Sequence, residues 1–173
     1  MNTTRPRPVR RPAAALTAGA MLVLTACGQA ADEAPAASAD RQAEVAERGA
    51  SVMPFDLERT THRFTKEANG GVQTVVADDP GDTTQIRLVR DHLRREAEEF
   101  RQGRFDDPAR VHGGEMPGLA ALRAGVGRID VVYADTPDGA RITYTAAEAG
   151  LVTALHDWFD AQVGDHVEHA TGG

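Results

Sequence analysis

The sequence has few of the residues that carry covalent catalysis. It contains one cysteine, Cys27, and two serines, Ser38 and Ser51, in 173 residues. A single cysteine forms no disulfide within the chain, so the stability of the protein must come from an ordinary hydrophobic core. Neither serine lies in a strand–turn–helix pattern of the kind that presents a nucleophile. The residue content therefore gives no support to a hydrolase that works through a serine or a thiol.

Lysine is almost absent, and the charge balance is acidic. Lys66 is the only lysine, and the chain has 26 acidic against 19 basic side chains. Removal of residues 1–26 would take away four arginines and no acidic residue, which leaves 15 basic side chains and a net charge of −11. Nucleic acids and anionic lipid surfaces are bound through clusters of Lys and Arg. The composition therefore predicts no nucleic-acid partner and no electrostatic adhesion to anionic lipids.

The N-terminal region has the layout of a secretory signal that ends at a lipid-attachment cysteine. Four arginines precede an uncharged apolar stretch, Ala13–Leu24, which is too short to span a bilayer as a stable helix. The string Leu-Thr-Ala-Cys-Gly at residues 24–28 resembles the bacterial lipobox. That resemblance implies cleavage before Cys27, acylation of its sulfur, and export to the outer face of the bacterial cell membrane. An acylated Cys27 would be removed from thiol catalysis and from metal ligation.

Three segments are expected after the signal peptide of residues 1–26. Residues 27–50 are rich in Ala and acidic side chains, and they are predicted to be a flexible tether. A short helix near residues 40–48, floating free of the core, is the alternative. Residues 51–164 have the size of one small domain. Gly164 is expected to end the last helix and to leave residues 165–173 as a flexible tail rich in His and acidic residues.

Two hairpin–helix units are predicted within the domain. Alternating strands at 60–65 and 72–77 flank an Asn-Gly turn, and strands at 128–134 and 140–145 flank a Thr-Pro-Asp-Gly turn. A capping-box pattern follows each hairpin, at Asp82–Gln85 and at Thr145–Glu148. Apolar residues then recur at three- and four-residue steps, as in amphipathic helices: Ile86, Val89, Leu93, Ala97 and Phe100 in the first, and Val152, Leu155, Phe159 and Val163 in the second. The expected fold is α+β, a four-stranded antiparallel sheet with two helices on one face.

Histidine is the residue type best suited to chemistry here, because imidazole is the commonest metal ligand in proteins. The chain has six: His62, His92, His112, His156, His166 and His169. Our first candidates are His112 and Met116, which flank a glycine pair and combine imidazole with a thioether that suits copper. His156 lies on the apolar side of its helix, within reach of that loop. His166 and His169 would share one helix face if the last helix continued past Gly164.

Each candidate ligand also has a structural interpretation. A histidine on an apolar helix face, such as His156, is commonly a core residue that bonds to a backbone carbonyl. His62, in a strand, would be a solvated surface residue. If Gly164 ends the helix, the three-residue spacing of His166 and His169 no longer places both rings on one helix face. The sequence has no paired Cys-x-x-Cys framework and no His-Glu-x-x-His helix, the patterns that specify zinc sites.

Several segments of the domain resemble a family of small exported bacterial proteins. The segments are Thr60–Phe64, Gly70–Ala77, Asp106–Gly113, Met116–Leu119 and Leu155–Gln162, and the likeness spans roughly residues 53–170. Members of that family are often labelled aspartate carbamoyltransferase. The enzyme of that name has two α/β domains and a Ser-Thr-Arg-Thr phosphate-binding turn, whereas this chain has one small domain and no such turn. An exported protein would also be separated from cytosolic carbamoyl phosphate. The resemblance implies export and carries over no functional residue.

These observations favour a membrane-anchored, non-enzymatic lipoprotein with a small ligand-binding domain. Copper or zinc is the candidate ligand, with His112, Met116 and His156 as first choices and His166 and His169 as second. The alternative is an envelope module that binds another protein through the exposed face of its sheet. An enzyme is the least favoured class, and the sequence assigns no catalytic residue.

Overall fold

The computed structural model describes Met1, residues 39–166 and residues 170–173. Four predicted features lie outside the described residues: Cys27, the expected signal peptide after Met1, the first part of the expected tether, and His169. All described residues after Met1 belong to one compact unit. None of the helices in these ranges combines the length and the apolar character that crossing a membrane requires.

The described chain is built from helices and one mixed β-sheet. Its elements are α1 (Ala39–Val52), β1 (Thr60–Glu67), β2 (Gly70–Ala77), α2 (Thr83–Arg101), α3 (Asp106–His112), α4 (Leu119–Ala124), β3 (Ile129–Thr136), β4 (Gly139–Ala146), α5 (Ala149–Asp165) and β5 (Ala170–Gly172). The strands lie in the order β3-β4-β2-β1-β5. Neighbours are antiparallel, except that β5 runs parallel to β1. The α+β class is confirmed, whereas the sheet has a fifth, parallel strand that was not predicted.

The hydrophobic core lies between one face of the sheet and helices α2 and α5. Tyr144 of β4 contacts both helices, with ring centroids 4.8 Å from Phe100 and 5.8 Å from Trp158. Gly71 of β2 lies where α5 approaches most closely, because a Cβ atom there would overlap the ring of Phe159. Large aromatic side chains bury much apolar area, so this layer contributes a large share of the stability.

The two hairpin–helix units are present, but their caps differ from the prediction. The side chain of Asp82 accepts a hydrogen bond from the backbone N–H of Gln85, as expected for the start of α2. The Gln85 side chain accepts from the N–H of Asp56 instead of returning to the cap. The second capping box, at Thr145–Glu148, was wrong, since β4 continues to Ala146 and α5 begins at Ala149. Thr145 and Ala146, which the pattern assigned to the cap, instead belong to β4 and pair with β3.

Both segments that were expected to be flexible contribute regular structure where they are described. Helix α1 covers residues 39–50 of the expected tether and packs against α3, with Val45 fully buried. Helix α5 runs through Gly164 to Asp165, and β5 then pairs with β1. A glycine inside a helix costs only about 1 kcal/mol.

Candidate metal centre

A small cavity of about 30 Å³ lies between α2, α3 and the end of α5, above strands β1 and β2. We call it the histidine cavity, because four of the six histidines line it: His62, His92, His112 and His166. The carboxyl groups of Glu96 and Asp107 line it as well. A space of this size holds a water molecule or a single ion, whereas organic ligands occupy pockets of several hundred Å³.

The side chain of His112, at the end of α3, is held by a buried carboxylate. It is 2% exposed, and its Nδ1 lies 2.8 Å from Oδ2 of Asp165. Arg41 of α1 donates two hydrogen bonds to the same carboxylate, both at 2.8 Å, and a third to the carbonyl oxygen of His112 at 3.1 Å. An ionised carboxylate only accepts hydrogen bonds, so Nδ1 of His112 carries the proton.

The protonation state of Asp165 follows from its partners. Burial by itself would raise the pKa of Asp165, but the hydrogen bonds from His112 and Arg41 outweigh burial and lower the pKa to about 2. Asp165 is therefore ionised at neutral pH. Histidines that ligate metals almost always donate their other ring N–H to a carboxylate, a carbonyl or water, which fixes the ring and makes it a better ligand. Asp165 and His112 have this arrangement.

His166 directly follows α5 and faces His112. Their Nε2 atoms are 3.3 Å apart, and the rings are perpendicular, with centroids 4.8 Å apart. A hydrogen bond joins these two nitrogens. Two imidazole nitrogens that bind one tetrahedral zinc ion are themselves about 3.4 Å apart, since each Zn–N bond is about 2.0–2.1 Å. The observed spacing therefore suits two ligands of one ion.

Further rings continue this cluster around the histidine cavity. His62 stacks on His166 with centroids 6.4 Å apart, and Phe55 lies 5.7 Å from His62 and 5.4 Å from His92. In the described ranges, no group of three or more His, Cys, Asp or Glu side chains is close enough together to form a complete metal site. The structure thus brings together two candidate ligands, His112 and His166, with further polar groups on the same cavity wall.

The α2 side of the histidine cavity has a different electrostatic character. His92 Nε2 lies 3.8 Å from Oε2 of Glu96. Burial, reinforced by the nearby Arg95 guanidinium, lowers the pKa of His92 to about 4, so this ring is neutral. Burial also raises the pKa of Glu96 to about 7. The hydrogen bond from Gln73 lowers this pKa, whereas the negative charge of Asp107 raises it further. This wall therefore presents a neutral imidazole and a carboxyl group that ionises close to neutral pH.

The structure brings together two of the five predicted metal ligands. His112 and His166 meet in the histidine cavity, whereas Met116 is 6% exposed within the hydrophobic core and does not line the cavity. His156 instead donates from Nε2 to carbonyl oxygens of the β1–β2 hairpin, at 3.1 Å to Glu67 and 2.8 Å to Gly70. His156 therefore has the structural role that the sequence analysis gave as its alternative, a bond to backbone carbonyl groups. His169 lies outside the described residues.

The groups around this pair were missed by the sequence interpretation. Met53, and not Met116, is the methionine that lines the histidine cavity. The adjacency of Asp165 to His166 and the four-residue spacing of His92 and Glu96 were visible signals. Arg41 gave none, because it lies in a stretch with the composition of a linker.

No family model, curated protein or solved structure matches this chain. The candidate site therefore depends on the geometry of this chain alone.

Proposed function

We propose that this protein is a membrane-anchored lipoprotein whose α+β domain binds one transition-metal ion, Zn²⁺ or Cu²⁺, through Nε2 of His112 and His166. The observation that carries the proposal is the 3.3 Å separation of these two nitrogens, with His112 oriented by the Asp165 carboxylate. Imidazole nitrogen is a good ligand for both metals. The small volume of the histidine cavity fits a single ion and no organic molecule.

His112 and His166 would hold the ion through their Nε2 atoms, and the hydrogen bond that now joins these two atoms would be broken. Metal affinity falls at acidic pH, because protons compete for the same nitrogens. The carboxyl groups of Glu96 and Asp107, which line the same cavity, would offset the charge of the ion.

The test is a metal titration of the full-length chain carrying Cys27→Ser in every sample, which removes the thiol as a competing ligand. The parent chain should take up one equivalent of Zn²⁺ or Cu²⁺ by calorimetry. His166→Ala should weaken binding at least about tenfold, because it removes one ligand and leaves the Asp165–His112 bond in place. His156→Ala is the matched control and should bind as the parent does, since its ring bonds to the hairpin.

Two outcomes would contradict the metal proposal. One is a parent chain that binds neither ion, in which case the contacts among Arg41, Asp165, His112 and His166 only hold the fold together. The other is a His166→Ala variant that binds as tightly as the His156→Ala control.

The membrane anchor is a separate part of the proposal, supported by the resemblance of residues 24–28 to a lipobox. Expressed in a bacterial host, the wild-type chain should partition with membranes and carry the mass of an acylated Cys27. The Cys27→Ala variant should leave the membrane fraction. An unchanged distribution of that variant would show that Cys27 is not the anchor.

A further inference from the structure

The sheet has a second face, turned away from α2 and α5, which we call the open face. Gly71 and Tyr144 face the helices, and the residues next to them in each strand point to the other side. Residues that pair across neighbouring strands share a face, so the register sorts the open face into three rows. They are Arg63, Thr74, Arg141 and Ala134; then Thr65, Val72, Thr143 and Val132; and then Glu67, Gly70, Thr145 and Asp130.

The two outer rows of the open face carry opposite charges. Arg63 and Arg141 are exposed in the first row, which we call the arginine row, about 9–10 Å apart with β2 between them. Glu67 and Asp130 are exposed in the third row, the acidic row, about 13 Å farther along the strands. The row between them has no charge and includes Val132, whose side chain is 51% exposed.

These four charged side chains have no ion-pair or hydrogen-bond partner among the described residues. Exposed arginines elsewhere in the fold do have such partners. Arg128, for example, lies 2.6 Å from a carboxylate oxygen of Glu148. The charges of the open face are therefore available to a partner, and their arrangement indicates which partner fits.

A partner of one charge sign would fit only half of this pattern. An acidic partner would pair with the arginine row but would be repelled by the acidic row, and a basic partner would meet the reverse. A second copy of this chain, turned end for end, places each arginine row over the acidic row of the other copy. Sheets that pack face to face lie about 10 Å apart, a gap that arginine and carboxylate side chains can bridge from both sides.

We propose that two copies of this chain associate through their open faces, with Arg63 opposite Glu67 of the second copy and Arg141 beside Asp130 of the second copy. The two-fold axis lies between the sheets and crosses the strands at the uncharged row, so that the same surface serves on both copies. This inference does not depend on the metal site. The contact is one of complementary charge around an uncharged centre.

The size of the open face predicts a weak dimer. Four strands and three rows cover roughly 20 Å by 20 Å, or about 400 Å² on each copy, whereas stable interfaces bury about 1,200–2,000 Å² in total. We therefore expect a dissociation constant in the micromolar to millimolar range. Salt should weaken the dimer, because exposed charges are screened at high ionic strength.

The test is sedimentation of the full-length chain carrying Cys27→Ser in every sample, so that no disulfide can link two copies. The mass of the parent should rise from monomer towards dimer with concentration at low salt, and it should return towards monomer in about 1 M salt. Arg141→Glu should weaken the dimer at least about tenfold, because one substitution alters two contacts of a symmetric interface. Arg123→Glu is the matched control at an exposed position of α4, and it should dimerise within about twofold of the parent.

A charge exchange between copies makes the test independent of any single variant. Arg63→Glu with Arg141→Glu gives an acidic open face, and Glu67→Arg with Asp130→Arg gives a basic one. Each double variant should be monomeric alone, since like charges then meet, and circular dichroism checks that each is folded. An equimolar mixture of the two should form a heterodimer at least as tight as the parent dimer.

Three outcomes would overturn the proposal. One is a parent that stays monomeric at millimolar concentration, and another is equal dimerisation of Arg141→Glu and Arg123→Glu. The third is a mixture of folded double variants that does not associate. If the monomeric parent instead binds polyglutamate, and Arg141→Glu abolishes that binding, the open face takes an acidic partner and not a second copy.

Discussion

The Asn substitution of Asp165 tests the centre of the site without any metal. Asp165→Asn preserves the size of the side chain but removes the charge on which Arg41 and His112 converge. The pKa of Asp165 is lowered from 3.8 to about 2. One pKa unit is equivalent to about 1.4 kcal/mol, so ionisation of this group contributes about 2–3 kcal/mol to the free energy of unfolding.

The sign and the size of the effect follow from the environment of the carboxylate. A depressed pKa stabilises the fold at pH values above the unfolded pKa, near 4, and the contribution is lost as the pH falls towards 2. Stranding a fully buried charge costs about 3–5 kcal/mol. Here Arg41 is 44% exposed and can be hydrated again when its partner is removed. We therefore expect Asp165→Asn to lower the free energy of unfolding by about 2–3 kcal/mol at pH 7.

The assay is urea unfolding in the presence of a chelator, at pH 7 and at pH 3, with Asp157→Asn as the control. Asp157 lies on the exposed side of the same helix. At pH 3 about 1 kcal/mol of the Asp165 contribution should already be lost from the wild type, so the gap between wild type and Asp165→Asn should narrow by that amount. A gap at pH 7 no larger than that of Asp157→Asn, or a gap that is equal at both pH values, would refute the reasoning.

Two further substitutions test the packing that positions the site, and thermal or urea unfolding measures both. Gly71→Ala should destabilise the fold by at least about 2 kcal/mol, because the added Cβ overlaps Phe159 and lies 2.6 Å from the carbonyl oxygen of Thr65; wild-type stability would mean that α5 does not approach β2 so closely. Val45→Ala should cost about 2 kcal/mol, since it removes two methyl groups from a fully buried position in α1. An unchanged stability of Val45→Ala would show that α1 is detached in solution.

Local sequence signals were sufficient to predict the two hairpins and the two long helices. The first hairpin turns at Ala68-Asn69, one residue before the predicted Asn-Gly pair, because Gly70 already pairs with Glu67, and Asp82 caps α2 as predicted. These features depend on residues that are neighbours in the chain, so their patterns are legible in the sequence. The wrong prediction of a helix cap at Thr145 shows the limit of such local patterns. Thr145 belongs to β4 and pairs with β3, and this contact is not visible in the residues next to Thr145 in the chain.

The elements at the two ends of the domain depend on contacts that are distant in sequence. Strand β5 has three residues and exists through its pairing with β1. Helix α1 has a narrow apolar side, with Val45 and Gly49 as its buried residues. Such segments have the composition of a linker, and their order comes from the partners that the rest of the fold provides. No periodicity within either segment contains that information.

The candidate site also depends on contacts between residues that are distant in sequence. His112 and His166 were selected for their residue type, yet each was paired with a neighbour in sequence: His112 with Met116, and His166 with His169. In the fold the partner of His112 is His166, and the carboxylate that orients it is 53 residues away. Arg41, which holds that carboxylate, is 124 residues from it. Because one carboxylate bonds to both Arg41 and His112, docking of α1 and orientation of the proposed metal ligand depend on the same group. The first helix after the proposed membrane anchor is therefore part of the site and not only a spacer.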